Sequence, residues 1–342
     1  MASRLALHIT QHLTQAWTRR GLLACLLWPL SLLFGLLAAG RRTLYRLGVL
    51  RIHRVAVPVI VVGNVFVGGT GKTPFVLWLI AQLRLAGFSP GVIARGYGAS
   101  AMAPRQVMAS SLAAEVGDEA LLTVQRTGVP MMVGRDRPAV ARALLDQHPE
   151  LDVIISDDGL QHTALARDIE IILTDARGAG NGWLLPAGPL REPLSRRRDF
   201  SVFNSLGTDV PVGAGNFAMT LVGDTAERLN DPSQRLPLAS LSGQRLLAAA
   251  GIGNPARFFT LLKNAGLQFD ELPLADHYAF EDHPFAAMSA DKILITEKDA
   301  VKCRQNRSLE NDPRMWVVPV DARIEPALAQ QIVEKLRGYP TA

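Results

Sequence analysis

Residues 63–74, Gly-Asn-Val-Phe-Val-Gly-Gly-Thr-Gly-Lys-Thr-Pro, place closely spaced glycines directly before a lysine and a threonine. The apolar, β-branched run Val55 to Val62 precedes them, and the helically spaced Phe75 to Leu85 follows. Strand, glycine loop, Lys-Thr, helix is the order a Walker A phosphate loop needs. Gly68, Gly69, Thr70 and Gly71 would turn successive backbone N–H groups toward phosphate oxygens, and the helix N-terminus adds its dipole. Lys72 would bridge the β- and γ-phosphates of ATP, and the Thr73 hydroxyl would ligate Mg²⁺. One departure is plain: the consensus glycine five residues before Gly71 is Phe66, and the Gly68-Gly69 pair is expected to supply the flexibility. A guanine-specific site is not expected, because in Thr296-Glu297-Lys298-Asp299 the lysine and aspartate are adjacent, the wrong spacing for an NKxD segment.

A second apolar run, Leu151 to Ile155, ends in Ser156-Asp157-Asp158-Gly159-Leu160-Gln161-His162. A buried strand that delivers a carboxylate to the sheet's carboxyl edge is Walker B-like, since ligands of open α/β sheets bind at that edge. Asp157 is therefore the expected Mg²⁺ carboxylate, with Asp158 beside it; an Asp-Gly turn is the plainer alternative. Arg95-Gly96-Tyr97-Gly98 is either a loop presenting an aromatic ring to a ligand or a simple glycine turn. Asp118 in Gly117-Asp118-Glu119 reads equally as a helix cap. The proline- and glycine-rich residues 183–193 hold Arg191 and Glu192 on a rigid loop. Arg196-Arg197-Arg198 is either a solvated patch or a contact for phosphate or an anionic lipid headgroup. His277, flanked by Asp276 and close to Asp282, has a structural pairing open to it.

The elements around these residues alternate. Strands are expected near 55–62, 91–94, 130–133, 152–156 and 168–174, and helices near 73–87, 117–127 and 136–148. That alternation predicts an α/β fold: a P-loop NTPase-like parallel sheet flanked by helices. Three divisions are expected, an N-terminal membrane-anchoring helix region over 1–50, a nucleotide-binding core over 51–200, and a smaller C-terminal α/β lid domain over 201–342. In the last, Asn254 is expected to cap a helix starting at Pro255. Gly21 to Gly40 is a 20-residue run without a charge, bracketed by Arg19, Arg20, Arg41, Arg42 and Arg46. It is long enough to cross a bilayer, and Pro29 leaves an in-plane placement open. Charge divides unevenly: the first 114 residues carry 12 Lys/Arg and no Asp or Glu. An anionic partner near the N-terminus follows. Because the basic residues flank an apolar segment with no aromatic-interleaved stripe, a membrane surface is expected and nucleic acid is not. Two cysteines, Cys25 and Cys303, allow neither a disulfide framework nor a metal set.

Taken together the segments resemble one family, the tetraacyldisaccharide 4′-kinases (lipid A 4′-kinases) of Gram-negative bacteria. The matching stretches are 63–74, 95–98, 117–119, 156–162, LLPAGPLREP at 184–193, Asp276 to Phe280 and TEKDAVK at 296–302, in the family's order over roughly 240 residues, with the apolar N-terminal helix matching as well. The resemblance implies transfer of the γ-phosphate of ATP to the 4′-hydroxyl of tetraacyldisaccharide 1-phosphate, giving lipid IVA. It implies Asp118 as catalytic base with His277 as its partner, Asp157 and Glu192 as Mg²⁺-site carboxylates, and Tyr97 as a nucleotide or substrate contact. It also implies the cytoplasmic face of the inner membrane as location, with no obligate protein partner evident.

Overall fold

The computed structural model describes residues 17–96, 103–204 and 215–339. The chain runs through α1 (Leu22–Arg46), β1 (Val59–Asn64), α2 (Lys72–Leu85), β2 (Pro90–Ala94), β3 (Arg105–Gln106), α3 (Ala113–Val116), α4 (Asp118–Thr127), β4 (Met131–Val133), α5 (Arg137–Gln147), β5 (Val153–Asp157) and β6 (Ile169–Asp175). It continues through β7 (Phe200–Asn204), β8 (Asn216–Val222), β9 (Thr225–Arg228), β10 (Asp231–Pro237), β11 (Leu246–Ala250), α6 (Pro255–Asn264), β12 (Asp270–Pro273), β13 (Lys292–Thr296), α7 (Glu297–Cys303), α8 (Arg307–Glu310), β14 (Met315–Val318), β15 (Asp321–Ile324) and α9 (Pro326–Arg337).

Among the described residues the strands form two sheets, ordered β15-β8-β7-β6-β1-β5-β2-β4-β3 and β10-β9-β14-β13-β11-β12. β1, β2 and β5 are buried along their whole length, which is why their sequences are continuous apolar runs rather than alternating ones. One face of the large sheet packs on α2, α4 and α9 through Phe75, Leu79, Leu121 and Ile332. The other face packs on α5 through Val140 and Leu144. The α/β fold and the expected βα alternation hold, with element ends within a few residues.

The division expected at residue 200 does not follow the sheets. β7 and β8 extend the large sheet, and the chain returns to it with β15 and α9. The smaller sheet is therefore an insertion between β8 and β15. Strand signals in the sequence marked extended segments without saying which sheet each one joins. Where the chain leaves and returns, a Cβ on Gly223 would lie 2.7 Å from the Pro319 carbonyl oxygen, so the crossing backbones need glycine there.

The α1 helix is about 37 Å long at 1.5 Å per residue. It is long and apolar enough to cross a membrane, with a mean hydropathy of 2.3 over an 18-residue stretch, and only a narrow stripe of it is covered. Ser31 sits in that stripe. Its hydroxyl donates to the Leu184 carbonyl (2.7 Å) and accepts from the Ala187 amide (2.9 Å). Leu22, Leu26, Leu36 and Leu37 point away from the body and are exposed.

Candidate active site

The phosphate loop is built by close backbone packing. Gly68 and Gly71 adopt φ of 102° and 92°, a region that L side chains rarely enter. At Gly71 a Cβ would also fall 2.4 Å from Asn204 Nδ2, the group that donates to the Thr70 carbonyl. The Asn64 side chain donates to the Gly68 carbonyl (2.8 Å). The rigid 183–193 loop holds the other side: the Val67 amide donates to the Pro189 carbonyl (3.0 Å), and the Arg191 amide to the Val65 carbonyl (2.7 Å). Phe66, the departure from the consensus, bridges to Leu190 through its backbone. Its ring carries the Arg177 guanidinium at 4.5 Å, and that arginine donates to the Gly69 carbonyl (2.7 Å). The expected flexibility at Gly68 is present, and Phe66 supplies a platform.

Strand register places the carboxylates beside this loop. Val62 of β1 lies opposite Asp157 of β5, so Asp157 ends its strand level with the start of the loop. It is buried, and one carboxylate oxygen has no hydrogen-bond partner. Burial, reinforced by Glu119 and Asp158, pushes its carboxyl well above the usual range, against Lys72 and Arg137. Asp158 has φ 51° and is turned toward Lys72 (3.4 Å) and Arg191 (3.2 Å). Burial opposes its ionisation, but those two cations hold its carboxyl below the usual range.

Asp118 is the first residue of α4, one place after the cap position held by Gly117, and its Oδ1 accepts the Glu119 amide (2.9 Å). Its Oδ2 lies 3.0 Å from His277 Nδ1 and 3.2 Å from Lys302 Nζ, and its Oδ1 is 4.0 Å from Lys298 Nζ. Burial alone would raise its carboxyl. The His277 hydrogen bond and the two lysines outweigh that and hold it at about 2. The same hydrogen bond raises His277 above its ordinary value, against burial and Lys298.

A cavity of about 310 Å³ unites these groups. Gly68, Lys72, Asp118, Asp157, His277 and Lys298 all line it. Thr70, Gly71 and Thr73 line an adjoining apolar cleft between the lobes with Leu77, Ile252 and Phe258. Glu192 is not among the residues lining either space. It is buried, accepts from Gln161 (3.0 Å), and is paired with Arg196 and, at 3.8 Å, with Arg42. It faces a separate arginine-lined cavity at the end of α1, with Arg46, Arg54 and Arg197. Tyr97 lies outside the described residues. The Asn254 cap is formed in position only, since its side chain accepts no cap hydrogen bond. Lys298, Asp276, Glu119 and Arg95 also line the main cavity, and none has a role that sequence reasoning assigned, although each lies in a segment that matches the family.

Among the described residues no three His, Cys, Asp or Glu side chains cluster as a metal set. A cation that takes most of its oxygens from phosphates and water needs only one or two protein ligands. The unpartnered Asp157 oxygen beside the Lys72-Thr73 helix start fits that case.

Comparison with known proteins now decides the family. The family model described as tetraacyldisaccharide-1-P 4′-kinase matches residues 23–337. The chain belongs to this family. Curated relatives named tetraacyldisaccharide 4′-kinase include one from Janthinobacterium sp. (strain Marseille), 60% identical over 98% of both chains, and one from Herminiimonas arsenicoxydans, 61% identical over 96% of both. A solved structure titled as the "apo" form of LpxK from Aquifex aeolicus in complex with ATP superposes with a TM-score of 0.76 at 28% identity. It covers 92% of this chain and 100% of that one. Membership carries the activity: this kinase phosphorylates the lipid A precursor at its 4′ position using ATP.

Proposed function

We propose that the cavity over Gly68–Thr73 is where the 4′-hydroxyl meets the γ-phosphate, with Asp118 and His277 receiving the hydroxyl proton. The observation that carries this is the convergence of Lys72, Asp157 and the Asp118–His277 pair on one cavity from four separate segments. Lys72 exchanges its contact with Asp158 for phosphate oxygens when the triphosphate arrives. Arg191 then keeps Asp158 paired, so releasing Lys72 leaves no buried charge alone. Asp157 and the Thr73 hydroxyl would hold Mg²⁺, whose chemistry is neutralisation of charge on the phosphate oxygens.

Proton removal falls to the Asp118–His277 pair. A carboxylate held at about 2 is a weak acceptor while His277 is protonated. Once His277 loses its proton, either its own nitrogen or a more basic Asp118 is ready to accept. Either route gives a rate that rises with pH through the raised value of His277. Lys298 faces the transferred charge, and Arg177 and Arg257, both paired with Asp175 (2.7 and 3.0 Å), flank the loop. The small lobe closes over the nucleotide as a lid.

The exposed leucines of α1 support a seat in the inner membrane, where the substrate's acyl chains remain, and we read the catalytic body as facing the cytoplasm. The arginine-lined cavity at the end of α1 then lies at headgroup depth and meets anionic groups of the lipid. The test is label transfer from γ-labelled ATP to purified tetraacyldisaccharide 1-phosphate in detergent. Labelled lipid from the wild type, and labelling slowed by about 10²–10³-fold in K72A, is expected. Release of free phosphate with no labelled lipid overturns the reading.

A further inference from the structure

The reaction described so far leaves part of the 296–302 segment without a task. Lys302 in α7 is buried, with 9% of its side chain exposed. A lysine ammonium is rarely so enclosed unless paired. Its Nζ is 3.2 Å from Asp118 Oδ2 and 3.7 Å from Asp299 Oδ1, and it sits 5.5 Å from the centroid of the Phe280 ring. Asp299 is fully buried. It accepts from the Thr296 hydroxyl (2.7 Å) and from the Gly251 amide (3.0 Å). The Gly251 carbonyl accepts the backbone N–H of His277 (3.1 Å), and His277 Nδ1 lies 3.0 Å from Asp118.

These contacts close on themselves: Asp118, His277, Gly251, Asp299, Lys302 and back to Asp118. Asp118 belongs to the large lobe and the other four to the small one. The ring also holds His277 at φ 58°, a left-handed conformation disfavoured for a side chain with a Cβ. Lys302 does not line the cavity over the phosphate loop, whereas Lys298 does. Lys298 also divides its charge between Glu119 (3.1 Å), Asp276 (3.8 Å) and Asp118 (4.0 Å).

We propose that Lys302, anchored by Asp299, is a positioning residue that fixes the Asp118 carboxylate against His277 across the two lobes and sets the charge of that pair. The inference rests on the reading of Asp118 and His277 as the proton-accepting pair. Lys302 acts through Asp118 and does not touch the reacting atoms. It also makes part of the acid–base machinery depend on lobe closure, because the lysine and the carboxylate come from different lobes.

The charges facing the pair are Glu119 on its own helix, Lys298, Asp299 and Lys302 on α7, Asp276 and Glu281 in the segment after β12, and Arg307 at the start of α8. Lys72, Arg95, Asp157, Asp158 and Arg191 face it across the cavity. All but Lys302 are unchanged in K302M, so a difference in pH profile between K302M and wild type reports Lys302. With one cation fewer beside Asp118, the carboxylate holds the proton on His277 more tightly, and the acidic limb moves to higher pH.

Full-length K302M, K302R, D299N and H277A are to be compared in the lipid-labelling assay, with kcat, KM for ATP and the pH profile of kcat/KM measured. Circular dichroism melting checks folding. K302M is expected to lose about 10–100-fold in kcat, the range typical of groups that orient a reacting residue. Its KM for ATP stays within about twofold and its acidic limb moves up. K302R keeps a cation and recovers most of the rate and the limb; D299N removes the anion that shares Lys302 with Asp118 and shifts the limb the opposite way, to lower pH. Wild-type kcat and limb in K302M overturn the inference, as do equal losses in K302M and K302R with an unmoved limb. Should K302M fail to fold, K302R and D299N carry the test, and an unshifted limb in D299N then counts against it. Wild-type turnover in H277A defeats the underlying reading of the pair; turnover lost in H277A but kept in K302M defeats only this one.

Discussion

The phosphate loop and the Asp118 cluster sit on opposite sides of one cavity and are made in different ways. The loop is local: one strand end, seven residues with two left-handed glycines, and the start of α2. Most of its supports are hydrogen bonds to its own backbone, from Asn64, Asn204 and Arg177. The Asp118 cluster is assembled from α4, the loop after β12 and α7, segments up to 184 residues apart. Its supports are ionised side chains spanning two lobes. A binding cradle for a common ligand can be written in consecutive residues. A proton acceptor suited to one hydroxyl is set by charges that only the folded chain brings together.

The sharpest way to break this contrast is to remove one member of each side. K72A should cost the most, about 10²–10³-fold in kcat, the scale for losing one preorganised electrostatic donor. H277A should cost about 10²-fold. It should also abolish the acidic limb expected of the wild type above 6.5, the ordinary value that His277 exceeds. K72A keeps that limb, because Lys72 is not a partner of the pair. If both variants kept or both lost the limb, the two regions would not be separate in function. Steady-state rates over a pH series decide this.

Stability separates them as well. Asp118 is held at about 2, below its unfolded value of 3.8. Its ionic contribution is therefore fully present above 3.8 and lost as pH falls through about 2. That contribution is on the order of 2 kcal/mol. His277 is raised, so its share is fully present below 6.5 and lost as pH rises through its folded value. Denaturant unfolding of wild type and D118N should differ most between about pH 4 and 6.5, differ less above that as the share of His277 is lost, and converge only as pH falls through about 2. A difference that does not vary with pH would show that the pair contributes packing alone.

How much could be read from residue order follows the same line. The strands β1 and β5 and the loop between β1 and α2 were legible because buried parallel strands are continuous apolar runs and glycines mark the turn. Asp157 was legible because a strand-end carboxylate needs no distant partner to be noticed. Asp118 looked like a helix cap, and only the resemblance to a known family raised it, since Lys302 and His277 lie more than 150 residues away. Glu192 was assigned to the metal from that resemblance alone, whereas Arg196 and Gln161 claim it in the fold. Lobe membership was not legible either: β15 and α9 return to the large sheet after the whole insertion.

The smallest expected effect lies outside both regions. S31A removes the hydroxyl that joins α1 to the Leu184 and Ala187 backbone. It should lower stability by about 1 kcal/mol and leave kcat in detergent within about twofold. A large kcat loss would mean that the seat of α1 helps to shape the cavity, and the two-region account would need a third.

Convergence of these groups on one phosphoryl group can be seen in a crystal structure with Mg²⁺ and a non-hydrolysable ATP analogue. The γ-phosphate is expected between Lys72 Nζ and the Asp118–His277 pair, with Asp157 turned to the metal and Lys72 released from Asp158. A triphosphate whose terminal group points away from Asp118, with Lys72 still held by Asp158, would contradict it.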